Sequence, residues 1–121
     1  MVGREERIPV PDDDPPDVLA VLEDEYAQGI LRATHSTAMS APQLAETLDA
    51  SRPTIYRRIE ELQKLDLLTE GTQMDADGHH RNVYQSRLDR VVITPGESGF
   101  SVSIDRSEHP ADRLTDMWEE L

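Results

Sequence analysis

Between positions 51 and 58 the chain reads Ser-Arg-Pro-Thr-Ile-Tyr-Arg-Arg, and six of these eight side chains can donate a hydrogen bond. Ser51 is of the type that caps a helix, and Pro53 is tolerated in a first helical turn because its missing N–H would be unpaired there anyway. A helix starting here presents free backbone N–H groups beside Ser51, Arg52 and Thr54, which is a ready phosphate site. Arg is the side chain best shaped for a bidentate contact with guanine, and Thr can touch a thymine methyl or a phosphate. With Ile55, Ile59 and Leu62 at i, i+4, i+7 on the buried side, Arg57 and Lys64 project almost opposite, with Thr54 and Tyr56 on the flanks. Tyr56 can reach a phosphate or lay its ring on the sugar backbone. Arg58 falls nearer the core flank, as a backbone contact or an internal ion pair with Glu61 or Glu60. In isolation, Arg-Arg beside Glu-Glu is more often a solvated face laced with i,i+3 and i,i+4 pairs; its surroundings favour the binding role.

Two other groups bear on chemistry. His79-His80-Arg81-Asn82 follows Asp77-Gly78, a hairpin turn signal, and suits contacts to phosphates or a minor groove. A His-His pair with no cysteine in the chain and only distant carboxylates is a weak metal signal, so no metal and no cofactor is expected. Ser40 followed three residues later by Gln43 forms a capping box, with a phosphate contact as a secondary role for Gln43. The chain has no GxSxG, GxGxxG, P-loop or HExxH motif, and its carboxylates lie in solvated runs rather than as a spaced pair. Catalysis is not expected.

The elements that would carry these residues follow from periodicity. From Asp17, Val18, Leu19, Leu22, Tyr26, Ile30 and Leu31 fall on one side of a helix, with a break near Glu23–Glu25 or a weakening at Gly29. Leu44, Ala45 and Leu48 give a short helix over 41–48; Asp49-Ala50 breaks it, and a helix over 52–65 follows. Ala45 is small where the two would cross, which permits a near-perpendicular pair. The period then changes to strands up to about Asp75 and over 81–85, joined by the Asp77-Gly78 turn, and over 90–94 and 99–104, joined by 95–98. In the last strand Phe100, Val102 and Ile104 alternate with Ser101 and Ser103. Pro110 opens a final helix whose Leu114, Met117, Trp118 and Leu121 form an apolar stripe; a helix of that length must dock on something to persist.

The 121 residues make one domain. Residues 1–16, rich in Pro and Asp, read as a mobile acidic tail, and 17–121 as the folded unit. The first residues lack the apolar core of a secretory signal, and no apolar run approaches the roughly 20 residues of a membrane span, so a cytoplasmic protein without membrane contact is expected. The net charge is −13, with 11 Arg and a single Lys among the cations. Such acid-rich, lysine-poor composition suits a cytoplasm at very high salt, where high charge maintains solubility and salt cations gather at the acidic surface. The charge is uneven: residues 1–50 carry 3 cations and 11 anions, 91–121 carry 2 and 7, but 51–90 carry 7 of each. One central segment is spared.

Residues 40–85, with the helix 41–48, the helix-bearing run ASRPTIYRRIEELQKLDLL and the hairpin TQMDADGHHRNVY, resemble the winged helix-turn-helix of ArsR-like transcription regulators, especially haloarchaeal ones. The resemblance implies an α+β winged helix-turn-helix fold with an extra β-hairpin and terminal dimerisation helices. It also implies a homodimer on double-stranded DNA that regulates transcription. On this reading Ser40, Gln43, Ser51, Arg52, Pro53, Thr54, Tyr56, Arg57, Arg58, His79, His80, Arg81 and Asn82 form the DNA interface, and Leu114, Met117, Trp118 and Leu121 the dimer interface. The competing expectation is a winged-helix protein-interaction adaptor that has lost DNA binding. The neutral central segment argues against it, because an adaptor has no reason to spare that face.

Overall fold

The structure, a computed structural model, describes residues 15–108. Residues 1–14 of the expected 1–16 tail and the expected dimerisation helix, with Leu114, Met117, Trp118 and Leu121, lie outside the described residues, whereas the last two tail residues, Pro15 and Pro16, open the first helix. Within them the order is α1 (Pro15–Glu23), α2 (Glu25–Ala33), α3 (Ala41–Leu48), α4 (Arg52–Lys64), β1 (Leu68–Met74), β2 (His80–Ser86), β3 (Leu88–Gly96) and β4 (Gly99–Arg106). This is an α+β winged helix-turn-helix followed by a second hairpin.

The first helical region breaks at Asp24, not at Gly29. Asp24 takes extended backbone angles and its carboxylate accepts from the Ala27 N–H, so it caps α2 afresh. Gly29 lies inside α2, where a Cβ would stand 2.8 Å from Leu48 Cδ2; the glycine lets α3 approach α2 closely. Leu19, expected on the apolar side, is exposed because the bend turns the buried face onto Val18, Ala27, Ile30 and Leu31.

Both halves of the helix-turn-helix start as their caps dictate. Ser40 Oγ accepts from Gln43 N–H while the Gln43 side-chain oxygen accepts from Ser40 N–H. Ser51 caps α4 through Thr54 N–H. Between them Asp49 adopts the left-handed conformation (φ 53°), which a short polar side chain tolerates, and it ends α3 after eight residues. Leu44 and Ala45 of α3 then pack with Ile55, Ile59 and Leu62 of α4 over Ile30 of α2.

The strands form two separate antiparallel sheets. In the wing, β1 and β2 pair from Leu68↔Ser86 to Met74↔His80. Met39 adds a bridge to Tyr84 by two backbone hydrogen bonds of 3.0 and 2.8 Å, fastening the wing to the segment before α3. In the second hairpin, Val102 and Ile104 reach the common core, while Ile93 and Phe100 nearer its turn are exposed. Its alternation is not clean: Ser103, expected to face solvent, is buried. Arg106 and Arg87 tie this hairpin to the end of α4. Arg106 donates to the carbonyls of Leu65 and Asp66, and Arg87 pairs with the Asp66 carboxylate at 2.6 Å.

Candidate nucleic-acid interface

The core stripe Ile55/Ile59/Leu62 turns the opposite side of α4 to solvent, and the cap at Ser51 sets where that face begins. Arg52, Pro53, Tyr56 and Arg57 are exposed along it, with Thr54 half-buried. Arg52 and Arg57 make no ion pair among the described residues. Ser51 Oγ is engaged locally, 2.9 Å from Thr54 Oγ1, so its hydroxyl serves the helix start. The positive end of α4 and two unpaired guanidinium groups therefore share one exposed surface.

Arg58 lies elsewhere. Its Nε and Nη2 donate to the two oxygens of Asp24 at 2.8 and 3.0 Å, and Glu61 stands 3.8 Å from Nη1. The side chain is 19% exposed. The internal-pair alternative thus describes Arg58: Glu61 is one partner, as expected, but the main one is Asp24, the cap residue of α2. This bidentate contact holds the Asp24 carboxyl below its ordinary pKa and raises that of Arg58, outweighing the opposing cost of burial for each. Ser40, expected at the DNA face, is 1% exposed, and its hydroxyl and N–H are engaged in the cap of α3. Gln43 is exposed, but its side-chain oxygen is committed to Ser40.

On the wing, Asp75 organises the turn. Its carboxylate accepts from the N–H groups of Asp77 and His79, and Gly78 takes φ 85°, a conformation glycine adopts without strain. The turn also brings ligand atoms of Asp75, Asp77 and His79 within 4.8 Å of one another. The premise of distant carboxylates therefore fails for His79, although exposed acids commonly cluster without an ion. His80, Arg81 and Asn82 are exposed on β2.

The neutrality of residues 51–90 resolves into two different faces. Arg58, Arg87 and Arg90 are spent in ion pairs with Asp24, Asp66 and Asp105. Arg52, Arg57, Lys64 and Arg81 are exposed and make no such pair among the described residues. No carboxylate interrupts α4 before Glu60. A locally basic surface thus stands on an acidic chain.

Helix and wing meet around a cleft of about 220 Å³ lined by Pro42, Tyr56, Arg81, Asn82 and Tyr84 over the buried Ser40. Tyr84 is almost fully buried, which raises its pKa. This juxtaposition was not legible in the spacing of the residues, which lie on three elements, and β2 buries the consecutive residues Val83 and Tyr84, so alternation gave no local signal for it.

A capped helix pair, an exposed basic second helix and an adjoining hairpin define a winged helix-turn-helix, a domain type of DNA-binding regulators rather than of enzymes. Residues 22–71 match the family described as a helix-turn-helix domain, which takes in α2, α3, α4 and the start of the wing. No curated protein matches the chain. Among the described residues no helix is long and apolar enough to cross a membrane.

Proposed function

We propose that this chain is a sequence-specific transcription regulator that acts as a cytoplasmic homodimer on a pseudo-palindromic promoter site at high salt. The observation that carries the reading is the exposed, acid-free N-terminal half of α4, where Arg52 and Arg57 make no ion pair among the described residues, with the wing cation Arg81 beside Tyr56 of the same helix. In this reading α4 enters the major groove and the wing lies alongside, with Arg57 on a base edge and Ser51, Arg52, Thr54 and Tyr56 on the backbone. The Ser40–Gln43 capping box fixes the start of α3 beside that face, and Arg58 holds α4 to Asp24 behind it.

The test is binding to genomic DNA fragments by gel shift at molar KCl, followed by titration of a bound duplex from about 0.2 to 2 M KCl. Ordinary DNA binding weakens as salt rises, because release of condensed cations is worth less; six to ten phosphate contacts lose about 10³–10⁵ in affinity between 50 and 200 mM. Here acidic flanks of net −8 and −5 approach a polyanion. They repel it over a Debye length of about 30 Å at 0.01 M but only about 3 Å at 1 M. Cations taken up between carboxylates and phosphates further oppose the usual release. The dependence on KCl is expected to be shallow, flat or inverted. A steep fall with rising KCl, with folding intact throughout, would remove the high-salt part of the reading.

Assembly rests on the apolar stripe of Leu114, Met117, Trp118 and Leu121. Truncation after Pro110 is expected to convert a dimer into a monomer, or to unfold the chain where that stripe packs within its own subunit, seen by size exclusion with light scattering. A truncated chain that still elutes as a folded dimer would place the interface elsewhere.

A further inference from the structure

We propose that the cavity between the C-terminal end of α2 and β3 binds a small organic acid with an apolar body. It uses none of the residues assigned to the DNA interface, so the proposal stands or falls independently of that reading.

The cavity is built by packing from three elements. Leu31 belongs to the core face of α2, and Leu88 and Val91 of β3 pack against the same core, which gives the cavity its apolar surface. Ser86, buried at the end of β2, ties the walls together. Its N–H donates to the Thr34 carbonyl at 3.1 Å, and its Oγ accepts from the Leu88 N–H at 3.1 Å. A site held in this way before binding loses little freedom on binding. At about 500 Å³ it lies within the roughly 300–1,000 Å³ typical of small-molecule sites, and equals about 17 water volumes of about 30 Å³ each. A single ring with a short acid arm fits that space.

The charged lining decides the sign of the ligand. Asp89 and His35 are engaged by other groups. Arg90 gives its Nε to Asp105 at 2.8 Å, which uses one of the five N–H donors of a guanidinium. Arg32, exposed in the last turn of α2, makes no ion pair among the described residues. A carboxylate can take two parallel hydrogen bonds from such a group while its apolar body covers Leu31, Leu88 and Val91. A cationic ligand would meet two guanidinium groups and a carboxylate that is already engaged.

The experiment uses the full chain at one fixed KCl concentration, with 4-phenylbutyrate as the probe and its amide and amine as neutral and cationic counterparts. Calorimetry should show one 4-phenylbutyrate per subunit with a Kd of about 1 mM or tighter, the range open to so small a ligand. The amide should bind at least tenfold more weakly, and the amine not at all. Arg32→Gln should lose at least tenfold for the acid and nothing for the amide, with the ligand-free melting temperature unchanged. Val91→Phe, which fills the cavity, should abolish binding of both. Equal affinity for acid, amide and amine, or acid binding that survives both substitutions, would overturn the proposal. So would an intact chain that takes up none of the three; uptake then appearing in Trp118→Ala would make the chain's own C-terminal stripe the occupant.

Discussion

Replacing Arg58 with alanine is expected to destabilise the fold by about 2–3 kcal/mol. Exposed ion pairs contribute roughly 0–1 kcal/mol, and breaking a fully buried pair costs roughly 3–5. The Arg58–Asp24 pair lies between these limits, with side chains 19% and 25% exposed and two guanidinium hydrogen bonds. The same carboxylate caps α2 through Ala27, so one group both closes the start of α2 and grips α4. Taking roughly 4 °C per kcal/mol for a domain of this size, melting should fall by about 8–12 °C. Urea unfolding at fixed KCl measures the change directly. Asp24→Ala, which also removes the cap, should cost roughly 1 kcal/mol more than Asp24→Asn. An Arg58→Ala protein that melts within a degree of the intact chain would show that the pair is incidental. The pH dependence has a definite sign. Because the folded-state pKa of Asp24 is lowered, its stabilisation is fully present above the unfolded value of about 3.9 and is lost as pH falls through the folded value. The Arg58→Ala protein should lack this part of the acid sensitivity.

Arg57→Ala is expected to leave the fold intact and to lose about 1–3 kcal/mol of specific binding, roughly 5- to 150-fold. Arg57 is exposed, lies opposite the core stripe of α4 and makes no ion pair among the described residues. Its removal therefore costs no internal contact, in contrast to Arg58 one position later. A bidentate Arg–guanine contact discriminates among bases, so the loss should appear against the selected site and be small against random duplex. Titration of both duplexes, with melting curves alongside, separates the effects. Equal affinity for the selected site with an unchanged melting curve would remove Arg57 from the reading surface.

The elements of this fold were legible wherever the determining interactions lie within a few residues. The Ser40–Gln43 capping box, the Ser51 cap, the Asp77-Gly78 turn and the stripe Ile55/Ile59/Leu62 all act over one or two turns, so spacing alone located α3, α4 and the wing. The exposure of Arg57 followed from the same wheel. Arg58, its neighbour on that wheel, was ambiguous because its partner is 34 residues away: helical spacing offers Glu60 and Glu61, and only the packing of α2 on α4 delivers Asp24. Ser40 shows the same limit from the other side, since a cap can face solvent or the interior and the Met39–Tyr84 bridge places this one inside. The sequence by itself determined the caps, the turns, the core stripe and the sparing of one segment from acid. Tertiary structure alone decided which arginines of that segment are consumed in ion pairs and which face outward, and it created the cleft from three elements. Local backbone and side-chain preferences act along the chain, whereas ion-pair choice and concave surface depend on distances across it, which packing sets.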